Sequence, residues 1–531
     1  MPEVVFRSVD RVNRYYMVQS MRETERKYEI PSSADISWLP ELRRVDGVAA
    51  VVDAGTEQLD AVYYDTDDLR LAGSSAVLRR RTGGADAGWH LKLPLSGDSR
   101  EEIRSALTDT VPEELLGLTV SRTRGAGLTP VVRIRSTREV RHLVDEDGTP
   151  RAELCVDTVR AKSLRGKGRS AAWSEIEVEL AEDADPALLD AVDKKLRKKG
   201  IARSTSSSKL ARALDETATT PLGGASHAPT DLGPDQAGAQ VFVYVREQVR
   251  VLTALDPGVR RDRPDAVHRM RVACRRLRSC LRSYRSVLDR EATDVIRREL
   301  KWLAGELGAE RDQEVLMERL GAELGALPQE LVLGPVAARL RVWDVVDSTE
   351  AHQRSLDALN STRYVALLDS LAGLLERPPL RAKAGRNGGK VMTKAVLKEY
   401  GRLADHMTTA LELSPGPDRD LALHEARKAA KTVRYAAEVA RPALGRPAKD
   451  LGRRVKAVQQ VLGDHQDSVV ARGVLRDLAV AAQTAGEAGF TWGLLYGTEQ
   501  ARAHTREREL PSVWEPASAP GVREKLTGDP G

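Results

Sequence analysis

The spacing of apolar residues changes once along this chain, near residue 215, and that change limits the folds open to it. From Arg22 to Leu180, short runs alternate apolar and polar side chains between clusters of Gly, Asp and Pro. RETERKYEI, LDAVYYDT, AVLRRRT, GWHLKLP, REEIRSAL, VVRIRSTREVRHLVD, RAELCVDTVRA and WSEIEVEL are such runs. A period of two belongs to strands, whose successive side chains point to opposite faces. Regular short strands with turn signals predict an all-β barrel or sandwich. Helical stretches interrupt it near 112–117 and 186–199. From about residue 240 apolar residues recur at helical spacing, i, i+3, i+4, i+7, in segment after segment. Residues 216–239 between the two regions are rich in Ala, Gly, Pro and Thr, which predicts a connector. The expected architecture is α+β and multidomain.

Other features narrow the class. A chain of 531 residues exceeds one ordinary domain. Its 30% charged and 41% hydrophobic residues are a globular composition. It has no apolar run of about 18 residues, so no membrane span is expected. Three cysteines, Cys155, Cys274 and Cys280, show no ligand spacing; an odd, sparse set suits a reducing compartment. Residues 1–20 carry little pattern and read as a tail, or as a segment ahead of a start at Met17 or Met21. The stretch after 505 reads as an irregular tail, 506–531.

The helical half repeats itself. AVHRMRVACRRLRSCLRSY at 266–284 matches ALHEARKAAKTVRYAAEVA at 422–440, an offset of 156. LGAERDQEV at 307–315 matches LGDHQDSVV at 462–470, an offset of 155. Two related helical bundles facing each other are expected. On a helix, His268, Arg271, Arg275, Arg278, Arg282 and Arg285 share one stripe beside an apolar one, and Arg276 lies off it. In the second copy His424, Arg427, Lys431 and Arg434 do the same. Like charges at i, i+4 repel by a few tenths of a kcal/mol. Such a row calls for an anionic partner, and guanidinium forks suit phosphate oxygens. Asp312 and Asp467, in the repeated LG…D blocks, are expected to orient arginines or cap helices.

In the strand half, acids and bases alternate. Glu23, Glu25 and Lys27 share one face of their strand, as do Glu175, Glu177 and Glu179, Arg79 and Arg81, and Arg133 and Arg135, with Arg138 just beyond. Lys92 and Asp157 lie on further strands. Any one of these could be a polar outer face. Together, inside a barrel, they would line a lumen in which carboxylates hold Mg²⁺ or Mn²⁺ and cations hold phosphate.

The first half, over roughly 21–214, resembles the CYTH family of triphosphate tunnel metalloenzymes. The resemblance rests on E-x-E-x-K at Glu23–Lys27, with YYDT at 63–66, VLRRR at 77–81, LKLP at 91–94, CVDT at 155–158, EIEVEL at 175–180 and SSKLARAL at 207–214. It implies an eight-stranded antiparallel tunnel using Mg²⁺ or Mn²⁺ on triphosphate-containing substrates. Glu23, Glu25, Asp157, Glu177 and Glu179 would serve the metal, or the glutamate pair would be Glu175 and Glu177. Lys27, Arg79, Arg81, Lys92, Arg138 and Lys209 would hold phosphate, with Arg135 able to stand for Arg138. The second half, about 240–505, resembles the CHAD family of polyphosphate-binding helical domains, through HRMRVACRRLRS, LGAERD, LHEARKAAKTVRYAAE and LGDHQD. That implies a groove lined by His268, Arg271, Arg275, Arg276, Arg278, His424, Arg427, Lys428, Lys431 and Arg434; Arg282 joins them from the stripe.

The expected function is metal-dependent hydrolysis of inorganic triphosphate or short polyphosphate, by a cytoplasmic protein held on polyphosphate, including its granules. A polyphosphate-granule binder with a non-catalytic barrel is the alternative, as is action on a nucleotide or thiamine triphosphate. Aromatic residues make up 4% of the chain and do not interleave with the basic rows, which disfavours nucleic acid.

Overall fold

The computed structural model describes residues 19–31, 34–166, 168–217 and 232–528. Residues 1–18 and 218–231, where the N-terminal tail and most of the connector were expected, lie outside the described residues. Two compact units divide at residues 227 and 228.

The first unit is a closed antiparallel barrel. Its strands are β1 (Gln19–Ile30), β2 (Ala50–Asp65), β3 (Val77–Thr82), β4 (Gly88–Pro94), β5 (Ser99–Ser105), β6 (Thr129–Val144), β7 (Pro150–Ser163) and β8 (Ser170–Leu180). The order runs β5-β4-β3-β2-β6-β7-β8-β1, and β1 closes it onto β5. β1 divides its length to do so: Gln19–Thr24 pair with β5 and Glu25–Ile30 with β8. A short β9 (Ala202–Arg203) joins the outer end of β1. Closure leaves the eight barrel strands without free edges.

The helices of this unit are α1 (Arg70–Gly73), α2 (Glu113–Thr123), α3 (Ala187–Lys198) and α4 (Lys209–Thr217). Outward-pointing Leu78, Trp89, Leu91 and Ile103 pack on Leu115 and Leu118 of α2. Tyr28, Leu154, Ile176 and Val178 pack on Leu188, Val192 and Leu196 of α3. The helix α4 instead sets Leu210, Ala213 and Leu214 against Tyr63, Val77, Ile134 and Trp173, which point inward. It plugs one end of the barrel with apolar side chains. The remaining interior is polar.

The second unit is helical: α5 (Ala237–Arg260), α6 (Ala266–Ser283), α7 (Arg290–Glu306), α8 (Gly308–Ala326), α9 (Val336–Asn360), α10 (Thr362–Glu376), α11 (Gly388–Glu412), α12 (Pro417–Leu444), α13 (Arg446–Thr484), α14 (Phe490–Ser518) and α15 (Pro520–Thr527). The repeat is visible in the elements. α7 begins at Arg290 and α13 at Arg446, 156 residues on. The two related copies are joined by one apolar cluster, in which Met270, Leu277 and Leu281 of α6 meet Ala426, Val433 and Ala437 of α12. The Tyr284 hydroxyl donates to Ala436 O across that seam at 2.7 Å. The stretch after 505, expected to be irregular, is helical to Thr527. Leu510, Ala517 and Leu526 are buried in the same cluster, and that burial overrides the helix-breaking Pro511 and Pro516.

Candidate functional site

Inward parity gathers the charged residues of the barrel. β1 contributes Glu23, Glu25 and Lys27; β3 contributes Arg79 and Arg81; β4 contributes Lys92; β6 contributes Arg138; β8 contributes Glu177 and Glu179. All of these line one cavity of about 600 Å³, joined by Lys209 from the tip of α4. Glu23 is only 2% exposed, so the E-x-E-x-K face points into the barrel.

The charges interlock. Lys92 Nζ donates to Glu23 Oε2 at 2.5 Å and lies 3.5 Å from Glu102 Oε1. Lys27 reaches Glu25 at 3.1 Å and also pairs with Glu177. Arg138 makes a two-pronged contact with Asp157, at 2.9 and 2.7 Å, and reaches Glu177 at 2.5 Å. Lys209 Nζ sits among Asp157, Glu175 and Glu177 at 2.9, 2.8 and 2.6 Å. Burial opposes several of these charges, yet at three of the cations opposite partners outweigh it. They raise the pKa values of Lys92, Arg138 and Lys209 above their ordinary values. Lys27 and Lys92 together hold Glu25 down to about 2 against its burial. At Arg81 burial, then Arg79 and Arg138, win and bring it to about 9, and at Glu23 burial outweighs Lys92 and raises the carboxyl.

Two acidic groups differ in what balances them. Asp157, Glu175 and Glu177 offer oxygens within 4.8 Å of one another. Lys209 and Arg138 already occupy that triangle, and Trp173 Nε1 donates to Glu175 at 2.6 Å. The second group is a row across three strands. Glu25 lies opposite Glu179 on β8, and Glu179 opposite Glu153 on β7. Burial, then Glu23, with Glu25 and Glu153 behind it, lifts Glu179 to about 7. A carboxyl raised by burial and then further by neighbouring carboxylates marks a local crowding of negative charge. Hard oxygen ligands with surplus charge fit a divalent cation. Glu23, Glu25 and Glu179 all face the one cavity and offer such oxygens.

Arg135 does not stand in for Arg138. Arg133 and Arg135 have the opposite parity on β6 and lie outside the barrel, paired with Asp60 at 2.6 and 3.1 Å. The sequence reading missed Glu102, which is fully buried. It accepts from His90 Nδ1 at 2.9 Å, pairs with Arg104 and lies 3.5 Å from Arg79. Burial disfavours its charge, but His90, Lys92 and Arg79 hold its pKa far below the carboxylate range. Arg100 and Arg104 line the same cavity. Their alternation with Glu102 in REEIRS was the available signal.

In the helical unit the two cationic rows converge. One groove of about 540 Å³ is lined by His268, Arg271 and Arg275 of α6 and by His424, Arg427, Lys431 and Arg434 of α12. A second, of about 580 Å³, adds Arg278, Arg282, Arg285 and Lys428 and shares Arg275, Lys431 and Tyr435 with the first. The repeated aspartates orient the repeated arginines: Arg271 lies 3.1 Å from Asp312 and Arg427 3.4 Å from Asp467. The repeated glycines lie against them. A Cβ on Gly308 would stand 3.3 Å from Arg271, and one on Gly463 3.6 Å from Arg427. Burial, then Arg427 and Arg275, push Lys431 down to about 7. Burial and like charges also lower Arg275 and Arg278. The side-chain Nε atoms of Arg271, Arg275, Arg427 and Arg434 are buried without a hydrogen-bond partner.

Arg276 is not part of either groove. It pairs with Glu438 at 3.0 Å beside Tyr435, as its position off the stripe requires. Arg311 and Arg319 of α8 line the first groove, and Arg297, Arg402 and His406 the second. The sequence reading singled out none of these five, since most lie outside the repeated blocks.

A closed eight-stranded barrel with an ionic interior, followed by a duplicated helical unit with convergent cations, defines the class. The chain belongs to the CYTH–CHAD family: a CYTH domain matches residues 21–214 and a CHAD domain residues 243–476. CYTH domains are triphosphate tunnel metalloenzymes. The chain is 39% identical over 508 residues to Rv2226, an uncharacterized protein of Mycobacterium tuberculosis, covering 92% of this chain and 94% of that one. It is similar in fold to PptA from Streptomyces chartreusis, with 24% identity, a TM-score of 0.46, and 53% of this chain and 99% of that chain covered. The CHAD domain from Ricinus communis gives 22% identity, a TM-score of 0.39, and 55% and 96% coverage. No helix among the described residues is long and apolar enough to cross a membrane.

Proposed function

We propose that the barrel hydrolyses inorganic triphosphate or short polyphosphate with Mg²⁺ or Mn²⁺, and that the helical unit binds the polyphosphate chain. The observation that carries the first part is the meeting of carboxylates with a ring of cations in one plugged cavity. Glu23, Glu25 and Glu179 would hold the metal, which would offset phosphate charge and lower the pKa of a water bound to it. Lys27, Lys92, Arg79, Arg81 and Arg138 hold and orient phosphate oxygens. Asp157, Glu175 and Glu177 fix the positions of Arg138 and Lys209 through the ion pairs described above. The α4 plug closes one end, so a substrate enters by the other and presents a short chain or a chain terminus.

The purified protein with Mg²⁺ or Mn²⁺ is expected to release phosphate from tripolyphosphate. The double variant Glu23→Gln, Glu25→Gln is expected to lose about a hundredfold or more of that rate while binding long polyphosphate as before. Wild-type protein that binds polyphosphate but releases no phosphate with any divalent metal would establish the non-catalytic reading instead.

A further inference from the structure

The two grooves of the helical unit do not end with the repeated helices. A third cavity, of about 520 Å³, is lined by Arg285, Ser286, Arg290, Arg381, Ala382 and Lys383. It shares Arg285 and Arg290 with the second groove, which in turn shares Arg275 and Lys431 with the first. Four of its six lining residues are cations, and among the described residues no carboxylate lines it. Arg290 alone of the four has a close acid, Asp294 at 2.9 Å.

Arg381 and Lys383 belong to neither copy of the repeat; they lie in the segment joining α10 to α11. That segment is fastened in place. Leu380 bridges Leu288 in antiparallel fashion. Arg381 N donates to Val287 O and Asp289 N to Pro379 O, each at 2.8 Å. Leu380 packs against the main apolar cluster, and Ala384 is buried in it. Two basic side chains are thus held beside the turn between α6 and α7, where the cationic row of α6 runs out at Arg285. An unbalanced cationic surface continuous with a cationic groove carries a self-repulsion that a linear polyanion relieves.

We infer that the joining segment is a third subsite for the phosphate chain, in which Arg285, Arg290, Arg381 and Lys383 hold phosphates that extend past the repeated helices. This rests on the polyphosphate reading of the helical unit. It goes further in predicting that occupancy depends on chain length: short chains fill the central grooves, and only longer ones reach the joining segment.

The test uses the full chain and inorganic polyphosphate of graded length, titrated at several salt concentrations. The variants are Arg381→Gln, Lys383→Gln together and Lys383→Gln alone, with Arg275→Gln, Lys431→Gln as the central control. The double joining-segment variant is expected to bind short chains like wild type. For long chains it should lose severalfold in affinity, and the slope of log affinity against log salt should shallow by about 1 to 2. The single variant should show about half of that change in slope. Wild-type affinity and slope at every length in both variants would overturn the subsite. If the wild type itself binds polyphosphate of no length, the central reading falls, and the subsite with it.

Discussion

The barrel interior and the helical groove both gather cations, yet they hold them in opposite ways. In the barrel, Lys92, Arg138 and Lys209 lie 2.5 to 2.9 Å from carboxylates, and their pKa values are raised. In the groove, Lys431, Arg275 and Arg278 are lowered, by burial and then mostly by other cations. A cavity whose cations are already ion-paired admits an anion together with a metal, because each displaces part of an existing ion pair. An unbalanced groove admits an anion alone, and the anion removes repulsion. The difference separates a site suited to chemistry on a metal-bound substrate from one suited to holding a polyanion.

The strongest way to break this comparison is to discharge the groove. Arg275→Gln, Lys431→Gln removes two cations from the junction of the grooves. Polyphosphate affinity is expected to fall about tenfold or more and the salt slope by about 1 to 2. Tripolyphosphate hydrolysis should be unchanged; parallel loss of both would show that the two sites are not separate.

A second test concerns Glu179. Its folded pKa of about 7 lies above the ordinary value of 4.5. Its contribution to stability is therefore fully present below about pH 4.5 and lost as pH rises through about 7. The shift corresponds to roughly 3 kcal/mol. Metal-free protein should show a falling Tm over that window, and Glu179→Gln should flatten the fall. Added Mg²⁺ or Mn²⁺ should raise Tm most above pH 7, where the carboxylate is free to bind it. A Glu179→Gln variant with the wild-type Tm profile, with and without metal, would move the metal site elsewhere.

The smallest effect is a proton count. Lys431 at about 7 is mostly neutral at pH 8. Binding a polyanion restores its charge, so titrations in buffers of different ionisation enthalpy should show uptake approaching one proton per protein. Lys431→Met should abolish that uptake, leaving the other cations unaffected.

How much of this was legible in the sequence depends on parity and on repetition. The alternation of Glu23, Glu25 and Lys27 fixed one shared face, and their neighbours on other strands made inside the better choice. The same alternation could not rank Arg135 against Arg138. Both follow a strand pattern, and only the registration of β6 against β2 and β7 sends one out to Asp60 and the other in to Asp157. Glu102 stayed hidden because only the pairing of β5 with β4 and β1 turns it toward Lys92 and Arg79. In the helical half, the duplicated His and Arg positions marked the groove. The cations from α7, α8 and α11 carried no repeated signal and entered it only through packing.

Local covalent order sets which side chains share a face: a period of two or of 3.6 is a property of the backbone, and residues a few positions apart determine it. The sequence by itself therefore gave a strand half, a helical half, the duplicated basic rows and the charged faces. Which carboxylates keep surplus charge, which are neutralised by Lys209 and Arg138, and where a cationic path continues past its helix depend on contacts between residues far apart in the chain. Those were decided by barrel closure, the α4 plug and the fastening of Leu380 to Leu288, because electrostatic balance is set by distance in space.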